Sequence, residues 1–165
     1  MLLFHTGCPA LQNILHGNVN SSGLNNGDTA SYACELGYTL SSSVTRFCTI
    51  NRTWNSSEPS CDLTTCSSPL APVNGALQLN GSSFGDRAIY SCNVGYFLSS
   101  SYSDTCNASG QWDTPVTTCT LHNCGNLSNP PNGLINFSAT TYGAIANYFC
   151  DVGYNLNGSK SSTCN

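Results

Sequence analysis

Charge is what this chain has least of. Asp, Glu, Lys and Arg make up 7% of its 165 residues, against about 25% in an ordinary soluble domain. Lys160 is the single lysine, beside Arg46, Arg52 and Arg87. No basic run exists, which disfavours nucleic acid and heparin-like polyanions as partners. The acids stand singly, at Asp28, Glu35, Glu58, Asp62, Asp86, Asp104, Asp113 and Asp151, without the spacing of a calcium loop. No apolar run is long enough to span a membrane, so direct membrane insertion is not expected. Helical periodicity is lacking too. So is a pair of cysteines two to four residues apart, the usual mark of a zinc site. The histidines, His5, His16 and His122, never recur at one position. None has the adjacent nucleophile and orienting partner that a general base needs. These absences leave no catalytic, cofactor-binding or metal-ligating residue to name, and the expectation is a binding protein, not an enzyme.

Cysteine is abundant, with eleven in the chain, and its spacing is regular. Cys8, Cys66 and Cys124 open three units with a period of 58 residues. In each the second cysteine follows 26 residues later (Cys34, Cys92, Cys150) and the third 14 after that (Cys48, Cys106, Cys164). A fourth follows 13 later in the first two units (Cys61, Cys119). Such a period marks a tandem array. In the third unit the fourth cysteine is expected at about position 177, so the chain reads as cut within that unit. Units this small bury little apolar area, and disulfides are the usual remedy in oxidising compartments. The chain is therefore expected outside the cell or in the secretory lumen. Met1-Leu2-Leu3-Phe4-His5 lacks the basic region and full apolar run of a signal peptide, so the true N-terminus is expected to be missing or mis-assigned. Four cysteines allow three pairings, and spacing alone does not choose among them.

The expected organisation is a leader or linker at 1–7, modules at 8–61, 66–119 and 124–165, and linkers at 62–65 and 120–123. Four-residue linkers favour an elongated array with restricted bending. Ala30/Tyr32/Cys34, Ala88/Tyr90/Cys92 and Ala146/Tyr148/Cys150 alternate with period two, which predicts a strand with one buried face. Gly37-Tyr38, Gly95-Tyr96 and Gly153-Tyr154 mark a turn or bulge into a second strand. Asn74-Gly75 and Asn132-Gly133 are turn dipeptides in one phase, where the first unit has His16-Gly17. Gly27, Gly85 and Gly143 share another phase, and Trp54 and Trp112 each follow the third cysteine by six residues. Each unit is thus a small all-β module held by disulfides.

Four cysteines, a Tyr two before the second, Gly-Tyr just after it and a Trp between the third and fourth resemble the sushi, or complement control protein, module family. The resemblance covers nearly the whole chain. It implies pairing of first with third and second with fourth cysteine: Cys8–Cys48, Cys34–Cys61, Cys66–Cys106, Cys92–Cys119 and Cys124–Cys164. Cys150 is then unpaired in this chain. The third unit also lacks the Trp and last strand that the family pattern calls for.

Gly81-Ser82-Ser83-Phe84-Gly85 matches the G-x-S-x-G pattern of a hydrolase elbow, which needs a buried parallel strand before it and a helix after it. Here Gly85 has turn phase and the flanks read as loop and antiparallel strand. Tyr32, Trp54, Tyr90, Trp112 and Tyr148 sit at repeated phases and are expected in the core, since a repeated position serves the shared fold. Partner-binding residues should be those that differ between units: Leu24, Arg46, Phe47 and Arg52 in the first, Phe84, Arg87, Phe97 and Tyr102 in the second. Eight N-x-S/T sequons stand at Asn20, Asn51, Asn55, Asn80, Asn107, Asn126, Asn136 and Asn157, candidates for glycosylation in an exported chain. The function this predicts is protein binding or adhesion within a larger secreted protein or receptor ectodomain, with extracellular or cell-surface proteins as partners. Two alternatives are complement-regulator-like binding of activated complement fragments and the recognition arm of a modular serine protease.

Overall fold

The computed structural model describes residues 7–113 and 117–165. His5 lies outside the described residues, as does the expected leader up to residue 6. Among the described residues the regular structure is all-β, with thirteen strands and no helix.

The first repeat contains β1 (Gly17–Ser21), β2 (Thr29–Cys34), β3 (Tyr38–Leu40), β4 (Thr45–Phe47) and β5 (Cys61–Leu63). Strands β1, β2 and β4 form one antiparallel sheet, and β3 pairs with β5 in a second. The second repeat follows the same plan. Its strands β6 (Gly75–Leu79), β7 (Arg87–Cys92) and β9 (Ser103–Thr105) share a sheet, while β8 (Tyr96–Leu98) pairs with β10 (Cys119–Leu121). In the third, β11 (Gly133–Phe137), β12 (Ile145–Cys150) and β13 (Ser161–Thr163) form a sheet. The second strand expected after Gly153-Tyr154 is not formed: β3 and β8 exist by pairing with β5 and β10, and among the described residues nothing pairs with residues 154–156.

By contact density the chain divides into two compact units, and the division runs through the second repeat. One takes in the described residues to Ser68 with Gly81–Arg87 and Thr105–Asp113; the other takes in Pro69–Asn80, Ala88–Asp104 and the described residues beyond Asp113.

The period-two pattern of the central strands has a direct physical result. In β2 and β7 alternate residues are buried, Ala30 and Tyr32 in one, Ala88 and Tyr90 in the other. In β12 Ala146 is buried and Tyr148 half-buried. Cystines supply much of the remaining core: Cys8, Cys48, Cys61, Cys66, Cys106 and Cys164 are all buried. The bridges are Cys8–Cys48, Cys34–Cys61, Cys66–Cys106, Cys92–Cys119 and Cys124–Cys164, and Cys150 is a free, exposed thiol.

Trp54 and Trp112 reinforce the first-to-third bridges. Each pairs across a short hairpin with the third cysteine of its repeat, Cys48 or Cys106. The indole Nε1 of Trp54 donates to the Pro9 carbonyl at 3.0 Å, and that of Trp112 to the Ser67 carbonyl at 2.7 Å. Both carbonyls lie one residue after the first cysteine, so the indole spans the two segments that the cystine joins. Its N–H finds a partner while its apolar body is half-buried.

The strand-opening turns place His16, Asn74 and Asn132 at φ of 56°, 59° and 55°. Asn and His tolerate this left-handed region better than most residues. The glycine that follows is required by space. A Cβ on Gly17 would stand 2.6 Å from Cys61 Sγ and 2.6 Å from the Ala33 carbonyl oxygen, and one on Gly75 would stand 2.7 Å from Cys119 Sγ.

Candidate protein-binding surface

Two residues expected at the surface are structural. Arg46 is 8% exposed. Its Nη1 donates to the Tyr32 hydroxyl at 2.8 Å and lies 3.8 Å from Glu58 Oε1. Its guanidinium stands 5.6 Å from the Trp54 ring centre. A charge in a small core is tolerated when it is paired and stacked in this way. Arg46 is therefore removed from the partner-binding candidates. The same phase holds Asp104, buried, in the second repeat and Ser162 in the third, where Ser162 Oγ and the Tyr148 hydroxyl are 2.9 Å apart. One position thus carries a buried cation, a buried anion and an exposed neutral hydroxyl in turn, each set against a repeated tyrosine.

That contrast has a titratable consequence. The Tyr90 phenol is raised above its ordinary value of 10.0, first by burial and then by the negative charge of Asp104. The folded state favours the neutral phenol, so the stabilisation is complete below pH 10 and is lost as pH rises through the raised native value. Asp104→Ser is expected to move Tyr90 ionisation back toward 10, but not fully, because burial remains. Tyrosinate absorbance against a Tyr90→Phe blank measures it.

Phe84 is the second correction. It packs against Gly37, whose φ is 87°, so closely that a Cβ there would lie 2.6 Å from Phe84 Cε1. The backbone locks the contact. The Thr64 N–H donates to the Gly37 carbonyl, the Phe84 N–H donates to the Thr64 carbonyl, each at 2.8 Å, and Thr65 bridges Ser83. The arrangement recurs one period later. His122 N–H donates to Gly95 O at 2.8 Å, Tyr142 N–H to His122 O at 2.9 Å, Asn123 bridges Thr141, and the Tyr142 ring covers Gly95. Phe84 and Tyr142 thus anchor the connections at residues 62–65 and 120–123. Sequence reasoning missed this pair. The signal was present, since both aromatics share a phase in which the first repeat has Asn26.

Ser83 is bridged to Thr65 of the first connection. Its N–H donates to Asp86 Oδ2 at 2.8 Å, and β7, not a helix, follows. His16 stacks on Tyr38 with ring centres 4.2 Å apart and lies 3.6 Å from Glu35. His122 clusters with Cys124 and Cys164, but those cysteines are joined to each other and offer no thiolate.

The remaining differing residues stand outward. Phe47 is 51% exposed, Phe97 52% and Tyr102 65%, and Leu24, Arg52 and Arg87 are also exposed. Phe97, on β8, meets the edge of His122 at 6.2 Å between ring centres. Arg52 has a φ of 62° at the hairpin tip where the second repeat has Gly110 at 76°. Among the sequons, Asn107 alone is not exposed. Its Oδ1 accepts from Ser109 and Gln111 and its Nδ2 donates to Asp113. A cleft of about 440 Å³ lies beside Phe149, Cys150, Tyr154 and Leu156 in the third repeat.

A family model for the Sushi repeat (SCR repeat) matches residues 8–61, 66–119 and 124–165. The chain is 37% identical over 138 residues to the rat "Sushi, von Willebrand factor type A, EGF and pentraxin domain-containing protein 1", covering 84% of this chain and 4% of that one. It is 29% identical over 170 residues to human E-selectin, covering 95% of this chain and 28% of the selectin. It is 30% identical over 166 residues to complement control protein C3 of vaccinia virus (strain Western Reserve), covering 95% and 62%. The chain spans less than two thirds of the length of each of these relatives. With three tandem matches laid on an all-β chain stapled by five cystines, the chain belongs to the sushi repeat family.

Proposed function

We propose that this chain is a non-catalytic, extracellular protein-binding segment of a larger secreted protein or receptor ectodomain, with modules at 8–61, 66–119 and 124–165. The observation that carries the reading is a contrast between positions. The repeated Tyr32 and Tyr90 are buried, while Phe47, Phe97 and Tyr102, at phases where the repeats differ, stand exposed. Phe47 answers to Thr105 and Thr163, Phe97 to Thr39 and Asn155, and Tyr102 to Val44 and Lys160. A stapled framework thus presents large aromatic side chains that stay about half or more exposed. Exposed aromatics of this kind make binding anchors, and several weak contacts along one chain combine by multivalency.

The test is binding of the secreted chain to a panel of extracellular ectodomains. A saturable partner is expected, and Phe97→Ala or Tyr102→Ala should weaken it about tenfold or more, as loss of an anchor does. A panel without any saturable partner, or binding indifferent to Phe47, Phe97 and Tyr102, contradicts the reading. Resemblance to a viral complement control protein over 95% of the chain favours a second reading, recognition of activated complement fragments. Placing those fragments in the same panel decides between the two.

A further inference from the structure

The outward face of the third repeat's sheet differs from its counterparts. On β11 Leu134 and Asn136 point outward, and on β12 Ile145, Asn147 and Phe149 do. Leu134 pairs directly with Phe149, and Asn136 with Asn147. Leu134, Ile145 and Phe149 are 57%, 53% and 56% exposed. Three large apolar side chains thus share one solvent-facing surface. In the first repeat the same positions are Asn18, Thr29 and Ala33, and none of them is a large apolar side chain. An exposed apolar cluster in a secreted chain calls for a cover.

The cover is written into the strand. Asn136-Phe137-Ser138 is a sequon, and Asn136 lies on this face between the apolar residues. It is diagonal to Phe149 on one side and to Ile145 on the other, about 7–8 Å in such a ladder and within reach of large groups. Asn20 occupies the same phase in the first repeat and is also a sequon, but its neighbours are Asn18, Ser31 and Ala33.

We propose that Asn136 carries an N-linked glycan whose first sugars lie over Leu134, Ile145 and Phe149 and shield them. This rests on the reading of the chain as extracellular. In the attachment, Asn136 Nδ2 forms a bond to the anomeric carbon of an N-acetylglucosamine donated by a polyprenyl-diphosphate oligosaccharide. The bond from that carbon to the diphosphate oxygen breaks, the diphosphate leaves with the electron pair, and one amide proton passes to solvent. The pyranose ring then turns its C–H groups to the apolar side chains and its hydroxyls to water. At Asn20 a glycan would have no such surface to cover.

The experiment secretes the 165-residue chain from a eukaryotic host and reads site occupancy by peptide mass spectrometry. Binding of an apolar dye and self-association are then compared for wild type, Asn136→Gln, Ser138→Ala and Asn20→Gln. Occupancy at Asn136 is expected. Both third-repeat variants should raise dye binding severalfold, Asn20→Gln should not, and adding Leu134→Ser with Phe149→Ser to Asn136→Gln should cancel the rise. Enzymatic removal of glycans from the folded wild type should give the same rise, and this covers the case in which a variant fails to fold. Asn136 bare while other sequons are occupied overturns this inference alone. No sequon occupied overturns the extracellular reading with it. Asn136 occupied, yet Asn136→Gln behaving as Asn20→Gln does, overturns the shielding role.

Discussion

Replacing Cys8 and Cys48 together by alanine is expected to unfold the first repeat near body temperature. The bridge joins residues 40 apart in sequence. Chain-entropy arguments put the stabilisation from closing such a loop at about 4 kcal/mol. Little else can replace it. The buried side chains of this repeat are Cys8, Cys48 and Cys61 with Ala30, Tyr32, Arg46 and Pro59, while Leu15, Leu36, Val44 and Ile50 face solvent. A native domain has only about 5–15 kcal/mol in all, and a module this small is at the low end. The melting temperature of the repeat should fall by roughly 20 °C. The chain has two tryptophans, Trp54 in the first repeat and Trp112 in the second. Emission from a Trp112→Phe background follows the first repeat, and that from Trp54→Phe follows the second. The account predicts an early transition in the former and a retained one in the latter. A loss under about 1 kcal/mol would show that packing, not the bridge, holds the repeat.

The second large effect is expected at Gly37. Alanine there must adopt a φ of 87°, which costs an L-residue about 1–2 kcal/mol. Its Cβ must also displace the Phe84 ring, which the Thr64 hydrogen bonds hold in place. Together these should cost about 3 kcal/mol. Gly153 supplies the control. Its φ is 90°, yet a Cβ there meets nothing within 4 Å. Gly153→Ala should carry the backbone cost only. In a Phe84→Ala background Gly37→Ala should fall to the Gly153 value, and the difference is the coupling energy of the pair. Chemical denaturation of the four variants measures it. Equal costs at Gly37 and Gly153 would mean that the aromatic contact contributes nothing.

These two cases also divide what the sequence shows from what it hides. Strand positions in the first two repeats, turns and modular architecture were legible because they are local or periodic. An Ala-x-Tyr-x-Cys alternation needs only one strand and one buried face. An Asn-Gly turn needs only its own two residues. Arg46 and Phe84 were misread for a common reason. Each is meaningful only through a residue distant in sequence: Tyr32, Glu58 and Trp54 for the arginine, Gly37 for the phenylalanine. A charge and an exposed-looking aromatic in variable positions read as surface until the fold places their partners. The face of β11 and β12 was hidden similarly. Leu134, Ile145 and Phe149 become one patch, with Asn136 among them, only once the register of the two strands is known.

The most direct test of the account is the cystine map of the secreted 165-residue chain, read from unreduced peptides by mass spectrometry. The account requires Cys8–Cys48, Cys34–Cys61, Cys66–Cys106, Cys92–Cys119 and Cys124–Cys164, with alkylation at Cys150 alone. Any bridge joining two different repeats, or alkylation at Cys124 or Cys164 with Cys150 paired, would contradict the separately stapled modules on which the binding proposal stands.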